Sequence, residues 1–441
     1  MLKSNRNYVK RCLKIGLIIF CFAIGIKFIA FSLPKDRVRN HISESYKMLK
    51  EEGVYPQTSY LTDDIYLKQQ LDNHTDAIYL NVAYTVRPQN ALKYVAGDFY
   101  GNKGGGNPIE QLGNQIADEG SSDTVMYGRQ WFGAAGIIRI LLYFFNLSQI
   151  RALSSVLLLA LLFLVGVKLK ERVGKQFAYV FVLAVLLFFP STIALSMNIA
   201  NVFYVSFFSI YYIVGKNKHH VDAFVDLFVV GCLTAYFDLF LTPFVSYGLV
   251  TTVMIMMLYH NHTIDSFCSG AIQLMKTASG WLTGYIGFWS LKWVFASIVL
   301  KQNVFANVLS EMKNVGGGTV SWGPDSKLGY IKSALELNFN KMLPVQVFQW
   351  IKNEVGFAVY PLFMLLLITT LVVLFVKKHK PVAQMYISLL FIIIGMMPYV
   401  YYMIMHIHTF VHYWIEYRYQ CMTVISFTMA YLTSLRMSKD T

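Results

Sequence analysis

Apolar segments that reach or approach the length needed to cross a bilayer recur along this chain of 441 residues. A bilayer core about 30 Å thick needs roughly 20 apolar residues of helix. Backbone polar groups inside lipid must be bonded within their own segment, so each crossing must be helical. The sequence therefore predicts an all-α fold, a polytopic membrane helix bundle of about ten spans. The predicted spans are 15–33, 153–167, 177–189, 202–214, 225–241, 245–258, 281–300, 357–376, 385–405 and 421–435.

The distribution of positive charge gives this bundle an orientation. The formal net charge is +14, and the Lys and Arg residues lie in short clusters beside the ends of apolar runs, which is the pattern of cytoplasmic loops. We therefore predict a multi-pass protein of the cell membrane with both termini cytoplasmic. Because topology accounts for the basic residues, nucleic acid is not predicted as a partner, and membrane lipids surround the bundle.

Two polar segments interrupt the spans. Residues 34–150 are predicted to form a long first outer loop, with interfacial helices because the run 131–145 is apolar but short and contains Arg139. Residues 301–352 are predicted to form a second outer loop. The other divisions are the cytoplasmic N-terminus with a retained first span (1–33), the membrane spans (151–300) and the C-terminal spans with a cytoplasmic tail (353–441).

Carboxylates in the first outer loop are the first candidates for chemistry. Asp72 and Asp76 are four residues apart, so on a helix they would share one face and could present a pair of oxygens to a substrate hydroxyl. Asp63 and Asp64 are adjacent and would point apart. Most acidic side chains of a loop are simply solvated, and spacing alone does not choose among the four.

Arginines beside aromatic residues are the second set of candidates. Arg129 lies between Tyr127 and Trp131, and Arg418 follows Trp414. A planar guanidinium binds phosphate through two parallel hydrogen bonds, which favours oxyanion binding at both positions. The aromatic neighbours suit anchoring at the membrane interface equally well, and the sequence leaves both interpretations open.

Two charged residues fall inside predicted spans. Asp238 and Lys292 would each cost at least a few kcal/mol in lipid, and such residues usually face the bundle interior or a water-filled cavity. One interpretation is that they neutralise each other or reach the interface. The other, which we take as a prediction, is that they face a shared cavity open to the outside.

Three histidines near the C-terminus are candidate metal ligands. Among His406, His408 and His412, only the last two have helical spacing, and the pattern of two histidines with a Glu base is absent. A glycine-rich stretch at 101–106 lacks the Lys-Ser/Thr ending of a nucleotide-binding loop. No cofactor is predicted with certainty, and a divalent metal is left open.

Taken together, these features resemble the GT-C superfamily of integral membrane glycosyltransferases. The resemblance covers nearly the whole chain at the level of architecture: a cytoplasmic N-terminus, a first span, a long outer loop with acidic residues, then many spans of uneven length. Four short sequence segments also look like those of multi-span Gram-positive proteins associated with cell-surface polysaccharides: 71–77, 127–133, 234–238 and 412–418.

The resemblance implies transfer of a sugar from a polyprenyl-phosphate donor to a cell-envelope glycan or a lipid-linked acceptor at the outer face. A carboxylate of the first loop would be the base, and the resemblance favours Asp76 first and Asp72 second. In the superfamily an acidic pair follows the first span closely, whereas Asp63 already lies about thirty residues beyond Leu33. The predicted substrate-binding residues are Arg129, Arg418, Asp238, Lys292, His412 and Trp131.

Other functions remain as alternatives. An outer-face polysaccharide polymerase would use the same lipid-linked substrates, but its main loop would normally lie between later spans. A flippase or transporter of lipid-linked sugars would predict inverted repeats and charges at the bilayer midplane, and the sequence has no evident repeat. A structural or receptor role is the remaining alternative.

Overall fold

The computed structural model describes residues 2–57, 69–118, 123–188, 190–216, 220–309, 322–342 and 385–436, and positions 320 and 369. Within these ranges the chain is almost entirely helical, which confirms the all-α prediction. Strands β1 (Tyr100–Gly101) and β2 (Thr124–Val125) form a short antiparallel pair. The predictions for Asp63 and Asp64 lie outside the described residues. Nearly all of the span 357–376 and part of the second outer loop, 310–319, 321 and 343–352, lie outside them as well.

The first part of the chain forms α1 (Leu2–Ser32), α2 (Asp36–Glu52), α3 (Asn73–Thr85), α4 (Ala91–Gly97), α5 (Pro108–Ala117), α6 (Gly133–Leu141), α7 (Leu147–Arg172), α8 (Lys175–Leu187) and α9 (Pro190–Leu195). It continues as α10 (Met197–Gly215), α11 (Ala223–Phe237), α12 (Pro243–His260), α13 (Phe267–Leu300), α14 (Lys327–Met342), α15 (Met385–Ile404), α16 (His406–Glu416) and α17 (Gln420–Arg436).

Six helices of the described part are long and apolar enough to cross a membrane. They are α1 from Tyr8 onward, α7, α10, α12, α13 and α15. Helices α8 and α11 are apolar but shorter. A membrane protein with several spanning helices follows from these lengths, whereas the count of about ten spans and the cytoplasmic position of the termini stay predictions.

The segment predicted as the first outer loop has a hydrophobic core of its own. Side chains of α2, α3, α5 and α6 pack together, and the core extends to Phe31 at the end of α1 and Leu147 at the start of α7. Helix α3 is buried along almost its whole length. The segment is therefore a folded layer attached to the ends of two spans, and it holds α3 in a fixed position.

Arg139, which marked the short apolar run, binds backbone carbonyls inside this layer. The side chain is fully buried, and it donates to the carbonyl oxygens of Ala30 and Leu33, at 3.0 and 2.7 Å, and to that of Ala83. Helix α6 packs against α1 and α3. The guanidinium thus joins the end of the first span to the end of α3; the interfacial position of α6 stays a prediction.

Helices α11 and α13 pack so closely that glycine is required between them. A Cβ atom on Gly231 would lie 2.2 Å from the carbonyl oxygen of Trp281, and one on Gly284 would lie 2.1 Å from that of Phe228. Small residues allow such backbone contact between membrane helices. This contact fixes α13 against the helix that precedes Asp238.

Candidate functional site

A cavity of about 260 Å³ lies between the start of α3, the segment before α6, the segment after α11, and α16. Its lining includes Tyr55, Asp72, His74, Tyr127, His412 and Trp414. Its walls include residues from three of the four sequence segments named above, 71–77, 127–133 and 412–418. We call it the Asp72 cavity.

Asp72 is the buried carboxylate of this cavity and the N-cap of α3. Its Oδ1 accepts a hydrogen bond from the Thr75 N–H at 3.0 Å, and its own N–H donates to Ser196 Oγ at 3.0 Å. An Asp at this position satisfies an N–H group that the helix leaves unbonded. The side chain is only 2% exposed, so the sequence feature that begins α3 also places a carboxylate out of bulk water.

The second oxygen of Asp72 lies buried near the side chain of Asn198. Oδ2 has no hydrogen-bond partner among the residues that the structure describes, and the same is true of the buried amide of Asn198 nearby. Burial raises the pKa of Asp72, while Thr75, His74 and Asn198 oppose the rise. A buried carboxylate with a raised pKa and an unused oxygen in a cavity is suited to accept a proton from a bound hydroxyl.

Aromatic rings surround the carboxylate. The rings of His74 and Tyr55 stack with centroids 5.9 Å apart and an interplanar angle of 5°, and Trp414 meets Tyr55 edge to face at 5.3 Å. Burial lowers the pKa of His74, against the effect of Asp72. The cavity therefore combines aromatic side chains with the carboxylate of Asp72, residue types that suit a ring with hydroxyl groups.

Asp76, the first choice from the sequence, has a different environment. It is fully buried; its Oδ2 accepts from Arg151 at 3.0 Å and its Oδ1 accepts from the Met197 N–H at 3.0 Å. Arg151 also binds Glu52 at 2.9 Å. Both oxygens of Asp76 are thus used to join α3 to α7 and α10, whereas only one oxygen of Asp72 has a hydrogen-bond partner among the described residues.

Arg418 lies directly behind the cavity wall. The side chain is 1% exposed, and its Nη1 donates to the carbonyl oxygens of Trp414 and Ile415 at 3.2 and 3.4 Å. Its Nε has no hydrogen-bond partner within the described ranges. Burial, and then the charge of Arg418, lower the pKa of Lys341 to about 7. Sequence reasoning missed Lys341, which places a second basic group close to Arg418.

The other predicted binding residues separate into rim, wall and packing positions. Arg129 lies over the ring of Tyr127, 4.3 Å from its centroid, next to the cavity. His412 lines the cavity at a kink in α16, and burial, followed by His408 and His74, lowers its pKa to about 3. Trp131, in contrast, is fully buried, stacks on Phe288 at 4.8 Å and does not line the Asp72 cavity, so its assignment to substrate stays a prediction.

Asp238 and Lys292 do not meet in the structure. Asp238 accepts from the N–H groups of Phe240 and Thr242, at 2.8 and 3.0 Å, and so caps the turn after α11. Lys292 donates to Asp98 Oδ2 at 2.8 Å. No ion pair joins the two in the described part of the chain, and neither lines the Asp72 cavity. The shared outward cavity expected for them is therefore not supported.

Asp98 is the residue that sequence reasoning missed here. It is fully buried at the end of α4, and its two oxygens bind Lys292 and Lys27. Two lysines in apolar spans require buried partners, so Lys27 and Lys292 together were a signal that a carboxylate of the first loop must reach them. The cluster joins α1, α4 and α13 and has a structural role.

A second, apolar groove has a volume of about 450 Å³. It runs between α6, α7, α10 and α11, and α7 and α10 are two of the helices long enough to span a membrane. Groove residues such as Leu157 and Phe208 are 50% and 61% exposed. The groove is therefore open at the lateral surface of the bundle, where lipid chains are expected.

The groove and the Asp72 cavity are close neighbours. Ala134 and Phe237 line the groove, while Phe132 and Leu239, two residues away along the chain in each case, line the cavity. The buried ring of Tyr79 lies at this boundary, with its hydroxyl donating to the Phe237 carbonyl oxygen at 3.3 Å. The Asp72 cavity and the apolar groove are thus lined by neighbouring residues at two places in the chain.

No group of three His, Cys, Asp or Glu side chains suited to a metal ion occurs among the described residues. Comparison with models of known protein families gives no match, and comparison with curated proteins and with solved structures gives none either.

Proposed function

We propose that the protein is a membrane glycosyltransferase that moves a sugar from a polyprenyl-phosphate donor to a glycan or lipid-linked acceptor of the cell envelope, at the outer face. The observation that carries the proposal is the buried carboxylate of Asp72, which lines an aromatic cavity and whose Oδ2 has no hydrogen-bond partner among the described residues. The adjoining apolar groove supports a lipid-linked donor, because such a substrate needs a polar and an apolar site side by side.

The proposed reaction uses Asp72 as a general base. Its Oδ2 accepts the proton of the acceptor hydroxyl while the acceptor oxygen forms a bond to the anomeric carbon of the sugar. The bond between that carbon and the phosphate oxygen breaks, and the electron pair leaves with the phosphate. A phosphate leaves as an anion and needs no proton from a general acid, so one carboxylate is sufficient.

Basic residues near the cavity support the phosphate side of the proposal. Arg418 is buried behind Trp414, and Lys341 lies close enough for the two charges to interact. Arg129 lies beside Tyr127 at the rim. Fixed cations in a site removed from water stabilise a developing negative charge more strongly than cations in water. These residues are proposed to hold the departing lipid phosphate.

The decisive experiment compares Asp72→Asn with the native protein, both purified and reconstituted with a panel of polyprenyl-phosphate sugars. Asn is as good an N-cap as Asp, so the variant is expected to fold and to bind donor with near-normal affinity. Transfer is expected to fall by about 10²–10⁴-fold, because the base acts only as the transition state forms. Transfer at the native rate would disprove the assignment of Asp72.

Arg418→Gln is the comparison variant for the phosphate contact. A contact made to the phosphate exists already in the bound donor, so this change is expected to weaken donor binding as well as transfer. The two variants therefore separate loss of the base from loss of the anion site. Donor binding by Arg418→Gln at native strength would remove Arg418 from the phosphate site and leave the role of Asp72 unaffected.

A further inference from the structure

The lining of the Asp72 cavity carries little charge. Asp72 is the single carboxylate among the described residues that line it, and neither a lysine nor an arginine is among them. Arg129 lies over the Tyr127 ring, outside this lining. Arg418, also outside it, donates to the Trp414 carbonyl oxygen. A carboxylate on a bound ligand would therefore lose its water beside Asp72 without meeting a cation of the lining, which is costly for a buried charge.

The cavity is unfavourable to positive charge as well. Burial is the largest cause of the pKa shift for four groups of its lining. It raises the pKa of Asp72, and it raises that of Tyr55 to about 12. It lowers the pKa of His74, against the effect of the Asp72 carboxylate, and it lowers that of His412 to about 3. Each shift favours the uncharged form of the group, so an ammonium group on a ligand in the same place would also be disfavoured.

The uncharged groups of the lining can both donate and accept hydrogen bonds. A neutral imidazole has one N–H donor and one acceptor nitrogen, and the Tyr55 hydroxyl and the Gln130 amide also act in both ways. The imidazoles of His74 and His412 have no hydrogen-bond partner among the residues that the structure describes. Hydroxyl groups of a sugar ring donate and accept too, so they complement these side chains without any charge.

The position of His412 is fixed by other residues of α16. It lies at a kink, where its φ and ψ are −108° and 20°, and its ring centroid is 4.6 Å from that of His408. His408 Nδ1 in turn lies 2.7 Å from Glu416 Oε1, and both of these side chains are buried. A wall that is ordered before a ligand binds loses little conformational entropy on binding, which favours affinity.

The size of the cavity limits the ligand to a small one. Its volume of about 260 Å³ lies just below the range of about 300–1,000 Å³ typical of small-molecule pockets. Tyr55 is in ring contact with both His74 and Trp414, so aromatic surface occupies part of the lining. The space therefore suits one ring rather than a longer saccharide segment.

We propose that the Asp72 cavity binds one uncharged sugar ring, and that it excludes the corresponding uronic acids and amino sugars. The identification of this ring as the unit that carries the reacting hydroxyl rests on the proposed function. Binding of the ring itself does not, because it requires neither donor nor transfer. The two proposals can therefore fail separately.

The test measures dissociation constants by saturation-transfer NMR on the full-length protein in nanodiscs, free of sugar-based detergent. The probes are the methyl glycosides of glucose, galactose and mannose, each compared with the uronic acid and the amino sugar of the same ring. At least one neutral glycoside is expected to bind, and to bind at least tenfold more tightly than both of its charged counterparts.

Variants of two histidines on α16 assign the binding to this cavity. His412→Phe is expected to weaken binding of the neutral glycoside about tenfold, because it removes a donor and an acceptor. His412→Gln keeps both kinds of group and is expected to recover most of the affinity. His406→Phe is the matched control, since His406 is on the same helix and outside the lining, and it is expected to bind normally.

Three results would overturn the proposal. These are no binding of any neutral glycoside, binding of a uronic acid or an amino sugar as tight as that of its neutral counterpart, or equal loss in His412→Phe and His406→Phe. Asp72→Asn keeps an acceptor oxygen and is expected to bind the neutral glycoside normally. If the native protein binds this glycoside as expected but transfers sugar from no polyprenyl-phosphate donor, the proposed function fails and the assignment of the cavity to an uncharged ring stands.

Discussion

Asp72 and Asp76 are four residues apart at the start of one helix, yet their carboxylate oxygens are hydrogen-bonded differently. Asp76 uses both oxygens, one for Arg151 and one for the Met197 N–H. Asp72 uses one oxygen to cap α3, and its other oxygen has no hydrogen-bond partner among the described residues. Both carboxylates are buried, so burial alone does not separate them; the difference is that Asp72 lines a cavity and has an oxygen with no such partner.

The largest effect on stability is expected at Asp76. Replacing it by Ala leaves the Arg151 guanidinium buried with only part of its partners, and breaking a buried pair in this way costs about 3–5 kcal/mol. Thermal unfolding in detergent would measure the loss. The double variant Asp76→Leu with Arg151→Met is the control, and it is expected to recover much of the stability because the charge that loses its partner, Glu52, is 32% exposed and not fully buried. If Asp76→Ala unfolds at the same temperature as the native protein, Asp76 is not the structural carboxylate described above.

A pH dependence of stability should also come from Asp76. Burial raises the pKa of Asp76 in the folded protein to about 7, above its ordinary value of 3.8, although Arg151 opposes the rise. The folded state then binds more protons than the unfolded state between about pH 4 and pH 7, so this group makes stability fall as the pH rises through that window, by at most about 1.4 kcal/mol per unit. Unfolding measured across the window should show a smaller slope for Asp76→Asn than for the native protein. An identical slope would indicate that Arg151 holds Asp76 ionised throughout.

The smallest expected effect is the loss of the cap at Asp72. Asp72→Ala removes the acceptor for the Thr75 N–H and should cost about 1 kcal/mol, whereas Asp72→Asn should cost a few tenths of that. The same unfolding measurement distinguishes them. A loss of several kcal/mol in Asp72→Asn would mean that this carboxylate, like Asp76, is a structural ion partner, and the proposed base would have to be sought elsewhere.

The helices could be predicted closely because hydropathy is a local property. The run 177–189 corresponds to α8 at Lys175–Leu187, and 385–405 corresponds to α15 at Met385–Ile404. Helix α13 begins at Phe267, well before the predicted 281, because a capping Ser266 starts a helix that includes the polar residues expected to be a loop. Length and apolarity predict where a span lies, whereas caps decide where its helix begins.

The candidate site could be predicted only in part. The sequence segments around Asp72, Tyr127 and His412 do meet in the structure. The difference between Asp72 and Asp76, however, depends on Arg151, which lies 75 residues beyond Asp76 in the chain. The spacing of the two aspartates carries no information about such a distant partner. A local signal did exist. An Asp just before an apolar helical run occupies the N-cap position, which fixes one oxygen of Asp72 and directs attention to the other.

Arg139 links the membrane mechanically to the helix that carries these carboxylates. Its guanidinium donates hydrogen bonds to carbonyl oxygens in the last turn of α1 and the last turn of α3. A change in the tilt of the first span should therefore move α3 with it. Bilayer thickness sets the tilt of a spanning helix. We expect the rate of the proposed sugar transfer to vary with the acyl-chain length of the surrounding lipid, so that bilayer thickness would affect a site that lies outside the spanning helices.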